Sequence, residues 1–263
     1  MAGRPEIDGG AAHDWSRVSE EYGRYRDLYP EAFYQKLTEL GLCISGQRVL
    51  DLGTGTGVLP RNMAKYGADF VGADPSEGQI AVARKLTRAA GLSIPYVVAS
   101  AETAAFEDDR FDVVTACQCF VYFDKAKALP NIYRMLKPGG RLAVLFMGWL
   151  PGESAIAGQS EALVLRYNPA WTGGGMTRFV LPEPAWAPPL FETKHRVTFA
   201  LDVPFTRESW HGRMLACRGT GASLPPDKLE SFAGEHRALL ERIAPESFTI
   251  PHYAAMLILQ VTK

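Results

Sequence analysis

Three glycines at alternate positions, directly after a short apolar run, are the feature that most constrains this chain. Residues 47–52 (QRVLDL) predict a buried strand, and residues 58–66 predict a helix. Gly53, Gly55 and Gly57 stand between them, where glycine permits positive φ angles and lets a ligand lie against bare backbone. The first N–H groups of the following helix carry partial positive charge and point at such a ligand. The sequence therefore predicts a nucleotide-type pocket at the carboxyl edge of a parallel sheet.

The spacing of the glycines separates two kinds of cofactor. Dinucleotide-binding turns follow the pattern G-x-G-x-x-G, whereas this chain has G-x-G-x-G, with Leu59 two residues after Gly57. Asp51 stands at the strand end, where a carboxylate would repel a pyrophosphate but suit a cationic amino group. The alternative is a tight turn without a ligand, but a plain turn has no need of three glycines and their entropic cost.

Apolar runs and amphipathic segments alternate through the rest of the chain. The predicted strands after the first are residues 69–74, 95–99, 111–117, 141–147, 195–203 and 252–262, with a turn at 137–140. The predicted later helices are residues 77–90, 126–136, 153–167, 207–217 and 227–243, and residues 31–40 form an earlier one. Near-continuous apolar strands alternating with helices predict an α/β fold with a doubly wound, mostly parallel sheet.

These motifs together resemble those of the class I S-adenosylmethionine-dependent methyltransferases that act on small molecules, of the UbiE and trans-aconitate methyltransferase type. Residues 51–57 match motif I, an acidic residue followed by x-G-x-G-x-G. The runs F-D-V-V at 111–114 and R-M-L-K-P-G-G at 134–140 are similar to the later motifs. The resemblance covers roughly residues 20–147 and implies a seven-stranded sheet whose last strand is antiparallel, with a helical and loop lid over its carboxyl edge.

The segment ahead of motif I resembles the part of the same family that folds over the cofactor. It carries Tyr22-x-x-x-Arg26-x-x-Tyr29-Pro30, and Asp27 stands where the family usually has its first proline. The resemblance implies that Arg26 pairs with a carboxylate of the cofactor or substrate. The alternative is a solvated helix face whose tyrosines pack on the core.

The resemblance also implies the cofactor, S-adenosyl-L-methionine, which leaves as S-adenosyl-L-homocysteine. Asp74 lies 21 residues after Gly53, where an acidic residue binds ribose hydroxyls in adenosine-binding sheets. An N-terminal cap for the next helix is the other role open to Asp74. The family often has Asp at the position of Ser100, where serine offers the adenine only a neutral acceptor. The predicted cofactor-binding residues are Tyr22, Arg26, Asp51, Gly53, Thr54, Gly55, Gly57, Asp74, Pro75, Ser76, Gln79, Ser100, Ala101, Glu102, Cys117 and Gln118.

Fewer residues are candidates for the pocket that would bind the methyl acceptor. A helix over 207–217 would place Trp210 and Met214 on one face, with Arg207 and His211 on another, as a roof over the active site. The predicted pocket residues are Tyr122, Trp210 and Arg213, and His211 is the candidate general base. In the alternative arrangement, Trp210 packs in the core and His211 faces water. No metal is expected, since the C-x-C at 117–119 is typical of small buried residues.

The composition of the chain limits its possible domain organisation and its possible binding partners. We expect a frayed segment at 1–14 and a single domain over 15–263, made of a cap (15–40), a core (41–147) and a C-terminal part (148–250) with a glycine-rich lid loop at 168–189. A net charge of −1 without basic runs argues against nucleic acid, and no apolar run approaches the length of a membrane span. Four cysteines fit a reducing cytoplasm, and a monomer or homodimer is expected.

The sequence thus predicts methyl transfer from S-adenosyl-L-methionine to a small-molecule acceptor through O, N, S or C. Two alternatives stay open. An NAD-dependent oxidoreductase of similar architecture is disfavoured by the glycine spacing and by Asp51. A non-enzymatic S-adenosylmethionine-binding protein would keep the glycine turn without an aligned acceptor pocket.

Overall fold

The computed structural model describes residues 5–11, 13–26 and 29–263, so Asp27 lies outside the described residues. The strands are β1 (Arg48–Leu52), β2 (Asp69–Asp74), β3 (Tyr96–Val98), β4 (Phe111–Cys117), β5 (Leu136–Trp149), β6 (Phe191–Thr206) and β7 (Ser247–Val261). The α-helices are α1 (Ser19–Tyr25), α2 (Glu31–Glu39), α3 (Val58–Met63), α4 (Glu77–Ala89), α5 (Lys125–Met135), α6 (Ala155–Tyr167), α7 (Arg207–Leu215) and α8 (Pro226–Ile243). Within the described ranges, no helix combines the length and the apolar character that crossing a bilayer requires.

The seven strands form one mixed sheet in the order β3-β2-β1-β4-β5-β7-β6. β1 pairs in parallel with both neighbours, and Leu50 lies opposite Val71 on one side and Val114 on the other. β3 continues the parallel ladder beyond β2, and β5 continues it beyond β4. The doubly wound, mostly parallel sheet with an antiparallel last strand is therefore confirmed. Parallel strands end at one edge, so the segments that follow β1, β2, β3 and β4 share the carboxyl edge.

The predicted turn before the fifth strand is wrong. Leu136 pairs with Phe111, and the ladder resumes where Arg141 pairs with Val113. Residues 137–140 therefore form an irregularity inside β5, with Gly139 at a φ of 76°. Backbone pairing with the neighbouring strand decides this, and a local proline–glycine signal cannot report it. β6 is longer than its predicted range at both ends, and β7 begins five residues before its predicted start and ends one residue before its predicted end.

The chain divides into two compact units. The first contains Met1–Asp27, Gly148–Phe179 and Ala200–Tyr253, and the second contains Leu28–Met147, Val180–Phe199 and Ala254–Lys263. The core of the second unit joins sheet residues to helix α5, as in Leu50, Val114 and Ile132, which are fully buried. The core of the first unit gathers aromatic side chains, among them Trp149, Trp210 and Phe232.

Within the predicted frayed segment over 1–14, Asp8 is held by contacts with distant residues. Asp8 is 3% exposed, and its carboxylate accepts hydrogen bonds from the backbone N–H and the hydroxyl of Thr172 at 2.7 and 2.8 Å. The Nε atom of Arg218 lies 2.9 Å from the same carboxylate. These partners are more than 160 residues away in the chain, so a local reading of residues 5–11 could not find them.

Candidate functional site

The three glycines after β1 all have left-handed backbone angles. Gly53, Gly55 and Gly57 have φ values of 65°, 56° and 77°, which side chains with a Cβ rarely adopt. The N–H of Thr54 donates to the carbonyl of Ala73 at 3.0 Å, which ties the turn to the end of β2. Gly57 is the N-cap residue of α3, so the helix begins where the turn ends. The predicted strand, glycine turn and helix start are confirmed.

Two of the glycines are also required by space. A Cβ atom at Gly53 would lie 2.6 Å from the Sγ atom of Cys119, which itself donates to the carbonyl of Leu52 at 3.0 Å. A Cβ atom at Gly57 would collide with the hydroxyl of Tyr96. Burial raises the pKa of the Cys119 thiol well above its usual value, so this cysteine packs as a neutral group.

Asp51 is a buried carboxylic acid at the end of β1. It is 2% exposed, and its Oδ1 atom accepts a hydrogen bond from the hydroxyl of Thr115 at 2.6 Å. Burial raises its pKa to about 6, with a further contribution from the negative charge of Asp74. Among the described residues, no lysine, arginine or histidine forms an ion pair with Asp51. An added cation at this edge of the sheet would compensate the carboxylate.

Asp74, at the end of β2, joins the glycine turn to the start of α4. Its Oδ2 atom accepts from the N–H of Gly55 at 2.9 Å, and its Oδ1 atom accepts from the N–H of Ser76 at 2.9 Å. Burial raises its pKa, and these two hydrogen bonds act in the opposite direction. The side chain that caps α4 is Ser76, which accepts from the N–H of the buried Gln79. Each carboxylate oxygen of Asp74 retains a lone pair for a ligand hydroxyl.

The remaining predicted cofactor residues lie after β3 and β4 and already make contacts within the protein. The hydroxyl of Ser100 lies 3.1 Å from that of Thr103, and Glu102 accepts from the N–H of Asp124 at 2.8 Å. Ala101 is buried, and Pro75 is half-buried after Asp74. After β4, the thiol of Cys117 donates to the hydroxyl of Tyr29, and the side-chain amide of Gln118 donates to the carbonyl of Met147. Tyr122 is half-buried in the short helix that follows.

The backbone of Gln118 marks the end of β4 as a special position. Its φ is 66°, unusual for a residue with a Cβ, and its N–H donates to the carbonyl of Leu145 at 2.8 Å. The side chain and backbone of Gln118 are thus both fixed at the carboxyl edge. In the described part of the chain, no group of three or more histidine, cysteine, aspartate or glutamate side chains could hold a metal ion.

The segment that contains the parallel strands, the glycine turn and the two acidic residues is similar to a known protein family. Residues 50–144 match the model described as "Methyltransferase domain". Residues 50–144 are thus similar to a methyltransferase domain, and we name them the methyltransferase-domain segment. The match begins within β1 and ends within β5, so it includes the glycine turn, Asp51, Asp74 and Gln118.

Relatives of the methyltransferase-domain segment share only part of their length with this chain. A demethylmenaquinone methyltransferase from Thermus thermophilus is 41% identical over 114 residues, which are 42% of this chain and 52% of the relative. A ubiquinone biosynthesis O-methyltransferase from Ruegeria pomeroyi is 34% identical over 140 residues, which are 53% and 56% of the two chains. The chain spans about half the length of these curated relatives.

The likeness to solved structures extends over most of the chain. A candidate methyltransferase from Bacillus halodurans superimposes with a TM-score of 0.54 and covers 87% of this chain and 98% of its own. The sequence identity is 19%, so this likeness concerns the fold alone. The likeness in fold to class I methyltransferases thus extends beyond residues 50–144.

The predicted cap residues Tyr22 and Arg26 contact each other in the first unit. The guanidinium of Arg26 lies 4.4 Å above the ring of Tyr22 and donates to the carbonyl of Ala216 at 3.4 Å. The ring of Tyr25 lies against Gly212, so close that a Cβ atom there would overlap it. α1 therefore packs on α7, and Arg26 takes part in that packing.

The predicted roof over an acceptor is corrected at α7. Trp210 is completely buried, and its Nε1–H donates to the hydroxyl of Ser160 at 3.0 Å. Trp149 and Phe205 pack on its ring, so no surface of Trp210 is open to a ligand. Arg213 places its guanidinium 5.0 Å above the ring of Trp149. Tertiary packing overrides the amphipathic reading here, because α7 has neighbours on several sides.

His211 lies neither in water nor on an open basic face, the two arrangements that the sequence allows. It is 6% exposed, and its Nδ1 atom lies 2.9 Å from Nδ1 of His236. Burial lowers the pKa of His211 to about 4, and the charge of Arg237 lowers it further. Burial also lowers the pKa of His236 to about 3. Both imidazoles are neutral at pH 7, and so weak a base at His211 does not support a general-base role.

Glu161 is a buried acidic group that the sequence did not reveal. Its Oε1 atom accepts from Nε1–H of Trp149 at 2.5 Å, and its Oε2 atom accepts from the N–H of Gly175 at 2.8 Å. Burial raises its pKa. Gly175 belongs to the predicted lid loop, so the carboxylate anchors that loop to α6. A single acidic residue within a helix carries no local signal of such a contact.

The loop glycines give a first test of the site. In Gly57→Ala, the new side chain meets both a positive φ and the Tyr96 ring, and we expect a loss of unfolding free energy of about 2–4 kcal/mol. Gly91→Ala is the matched control, since Gly91 has a φ of 68° but no neighbour within 4 Å, and it should cost about 1 kcal/mol. Urea unfolding measures both. Equal losses would show that Tyr96 does not constrain the turn.

The buried histidines predict a loss of stability in acid. In the unfolded chain, histidine binds a proton below about pH 6.5, whereas His211, His236 and His252 resist it down to pKa values of about 4, 3 and 4. The unfolded state therefore binds more protons between pH 6.5 and 4, and the free energy of unfolding falls as the pH falls through that window.

His252→Asn isolates one of these contributions. Nδ1 of His252 donates to the carbonyl of Ile250 at 2.9 Å, and an asparagine amide can replace that donor without titrating. Between pH 6 and 4.5, the wild type should lose about 1.4 kcal/mol more per pH unit than His252→Asn. Urea unfolding at several pH values measures the difference, and parallel pH profiles would contradict the buried neutral state of His252.

Proposed function

We propose that this protein transfers a methyl group from S-adenosyl-L-methionine to a small-molecule acceptor. The observation that carries the proposal is the uncompensated buried carboxylate of Asp51 beside three left-handed glycines, inside the methyltransferase-domain segment at 50–144. A ligand that brings a cationic amino group to Asp51 and bare backbone contact to the turn fits these residues. The methionine end of S-adenosyl-L-methionine has that chemistry.

The other end of the cofactor fits the segments that follow β2 and β3. Asp74 keeps an acceptor lone pair on each oxygen after its bonds to Gly55 and Ser76, which suits two ribose hydroxyls. Ser100 and the backbone of Ala101 are proposed for the adenine, with Ser100 supplying a neutral hydroxyl in place of the family's usual carboxylate. Gln118, fixed by Leu145 and Met147, is proposed to line the site from the end of β4.

Methyl transfer from this cofactor requires mainly that the reacting atoms be aligned. The sulfonium of the cofactor supplies an already activated methyl carbon, so the protein's part is to hold the acceptor atom in line with it. The glycine turn and Asp51 would fix the cofactor's methionine end, while the hydrogen bonds of Asp74 hold the turn itself rigid. Since His211 is a weak base, the proposal includes no general base among the described histidines.

The relatives suggest the class of acceptor. One is named a demethylmenaquinone methyltransferase and another a ubiquinone biosynthesis O-methyltransferase. We extend this to the present chain as a proposal that the acceptor is a small aromatic molecule of quinol type. The acceptor atom stays open between carbon and oxygen, with nitrogen and sulfur as the remaining choices.

Two measurements separate this proposal from its rivals. Calorimetry should detect S-adenosyl-L-homocysteine binding and no binding of NAD, and the reverse result would favour the oxidoreductase. Transfer of radioactive methyl groups from S-adenosyl-L-methionine to a panel of hydroxylated quinols tests for an enzyme. Cofactor binding with no transfer to any acceptor class would favour the non-enzymatic binding protein.

The pKa of Asp51 gives the proposal a sharper test. Asp51 carries its charge above about pH 6, so S-adenosyl-L-homocysteine should bind most tightly above pH 7 and lose up to about tenfold in affinity per pH unit below 6. Asp51→Asn should bind at least about tenfold more weakly at pH 7.5 and lose the pH dependence between 5 and 7. Calorimetry over that range measures both effects.

Thr115→Val is the matched control for this experiment. It keeps the shape of the side chain but removes the hydroxyl that donates to Asp51 at 2.6 Å. That hydrogen bond lowers the pKa of Asp51, so its loss should move the midpoint of the affinity profile to higher pH. An Asp51→Asn profile identical to the wild type would show that this carboxylate does not bind the cofactor.

A further inference from the structure

The turn that follows β3 is held by the side chain of Asn131, on helix α5. The carbonyl of Ser100 accepts from the N–H groups of Thr103 and Ala104 at 3.2 and 2.9 Å, which closes the turn. Nδ2 of Asn131 donates to the carbonyls of Ala101 and Ala104, each at 3.0 Å. One carboxamide thus uses both of its hydrogens to bind the turn.

The neighbours of Asn131 fix which end of its carboxamide faces the turn. Oδ1 of Asn131 accepts from Nη2 of Arg134 at 2.9 Å, and an arginine can only donate. Carbonyl oxygens can only accept, so they must face the NH2 group. Nη1 of Arg134 also donates to the carbonyl of Phe106 and to the carboxylate of Asp108. The same face of α5 therefore holds both the turn and the segment after it.

The bond from Asn131 orients the peptide group between Ala101 and Glu102. The C=O and N–H of a trans peptide lie in one plane and point in opposite directions. Because the carbonyl of Ala101 points at Asn131 on α5, the N–H of Glu102 points away from α5. The Glu102 side chain adds a second tie, since it accepts from the N–H of Asp124, the N-cap residue of α5. Helix α5 thus sets the direction of this backbone donor.

The neutral residue at position 100 makes that backbone donor more important. Ser100 stands in place of the family's usual carboxylate, and its hydroxyl already lies 3.1 Å from that of Thr103. Adenine presents N1 as an acceptor, which a backbone N–H can bind. Hypoxanthine carries a proton at N1, so the same N–H would meet another donor and lose its hydrogen bond. An N–H held in a fixed direction can therefore distinguish the two bases.

We propose that Asn131 is a positioning residue for adenine recognition, which holds the N–H of Glu102 toward N1 of the adenine ring. This inference rests on the proposed function, since it takes S-adenosyl-L-methionine as the ligand. Asn131 does not touch the cofactor in this role but acts through the carbonyls of Ala101 and Ala104. All of these residues belong to the second unit.

The first test examines the turn without cofactor. Asn131→Asp keeps the shape of the side chain and the acceptor for Arg134, but it has no hydrogen to donate to the carbonyls. Amide hydrogen exchange in residues 100–104 should become about tenfold faster than in the wild type. Asn131→Ala suits a helix and adds no charge, so it should give the same result, and it serves alone if the aspartate variant does not fold. Unchanged exchange would overturn the positioning role.

Gln47→Glu is the matched control for both tests. Gln47 is half-buried like Asn131, and its carboxamide also holds a loop. It donates to the carbonyl of Gly41 at 2.8 Å and accepts from the N–H of Ile44 at 3.2 Å. That loop precedes β1, at the opposite edge of the parallel strands from the turn after β3. The control should therefore leave exchange in residues 100–104 unchanged.

The second test compares two ligands by calorimetry, S-adenosyl-L-homocysteine and its hypoxanthine analogue S-inosyl-L-homocysteine. The wild type and Gln47→Glu should bind the adenine ligand about tenfold more tightly, the effect of one hydrogen bond. Asn131→Asp and Asn131→Ala should reduce this preference to about twofold or less, with the affinity for the hypoxanthine ligand unchanged.

The outcomes separate this inference from the proposed function. A purely structural role of Asn131 would weaken both ligands equally in its variants and leave the preference for adenine intact, which would overturn the inference alone. A wild type that binds neither ligand would reject the proposed function and the adenine contact with it. A wild type that binds both ligands equally would show that the Glu102 N–H does not read the base.

Discussion

The hydrogen bond from the Gly55 N–H to the Asp74 carboxylate is the contact on which the glycine turn depends. It joins the turn after β1 to the end of β2, and the second oxygen of Asp74 holds the N–H of Ser76 at the start of α4. A charged acceptor makes both bonds stronger than neutral ones. One carboxylate thus fixes three successive segments of the carboxyl edge and still has lone pairs for a ligand.

Both units bury ionisable side chains, an aspartate in the second unit and histidines in the first. In the second unit, Asp51 is buried, accepts a hydrogen bond from Thr115 and pairs with no cation among the described residues, so it favours a cationic ligand. In the first unit, burial lowers the pKa values of His211 and His236, so both imidazoles are neutral at pH 7. In both cases, burial shifts the pKa of the group toward its neutral form.

Features that depend on neighbouring residues could be predicted from the sequence, whereas features that depend on contacts between distant segments could not. β2 and β4 have their predicted limits, since an apolar run bounded by polar residues is a local signal. The glycine turn was equally readable, because positive φ angles demand glycine directly. The turn at 137–140 failed, since pairing between Leu136 and Phe111 absorbs it into β5. The burial of Trp210 was not predictable, because its ring packs on Trp149 and its Nε1–H donates to Ser160, both more than 45 residues earlier in the chain.

The sequence by itself determined the parallel sheet, the glycine turn and the acidic residues at the ends of β1 and β2. Each of these is specified by neighbours in the chain, through apolar periodicity or backbone angles. Only the tertiary structure decided the protonation states, because burial and long-range hydrogen bonds control them. His236 forms hydrogen bonds with both His211 and Ser160, and Ser160 lies 76 residues earlier in the chain, so no local pattern records this contact.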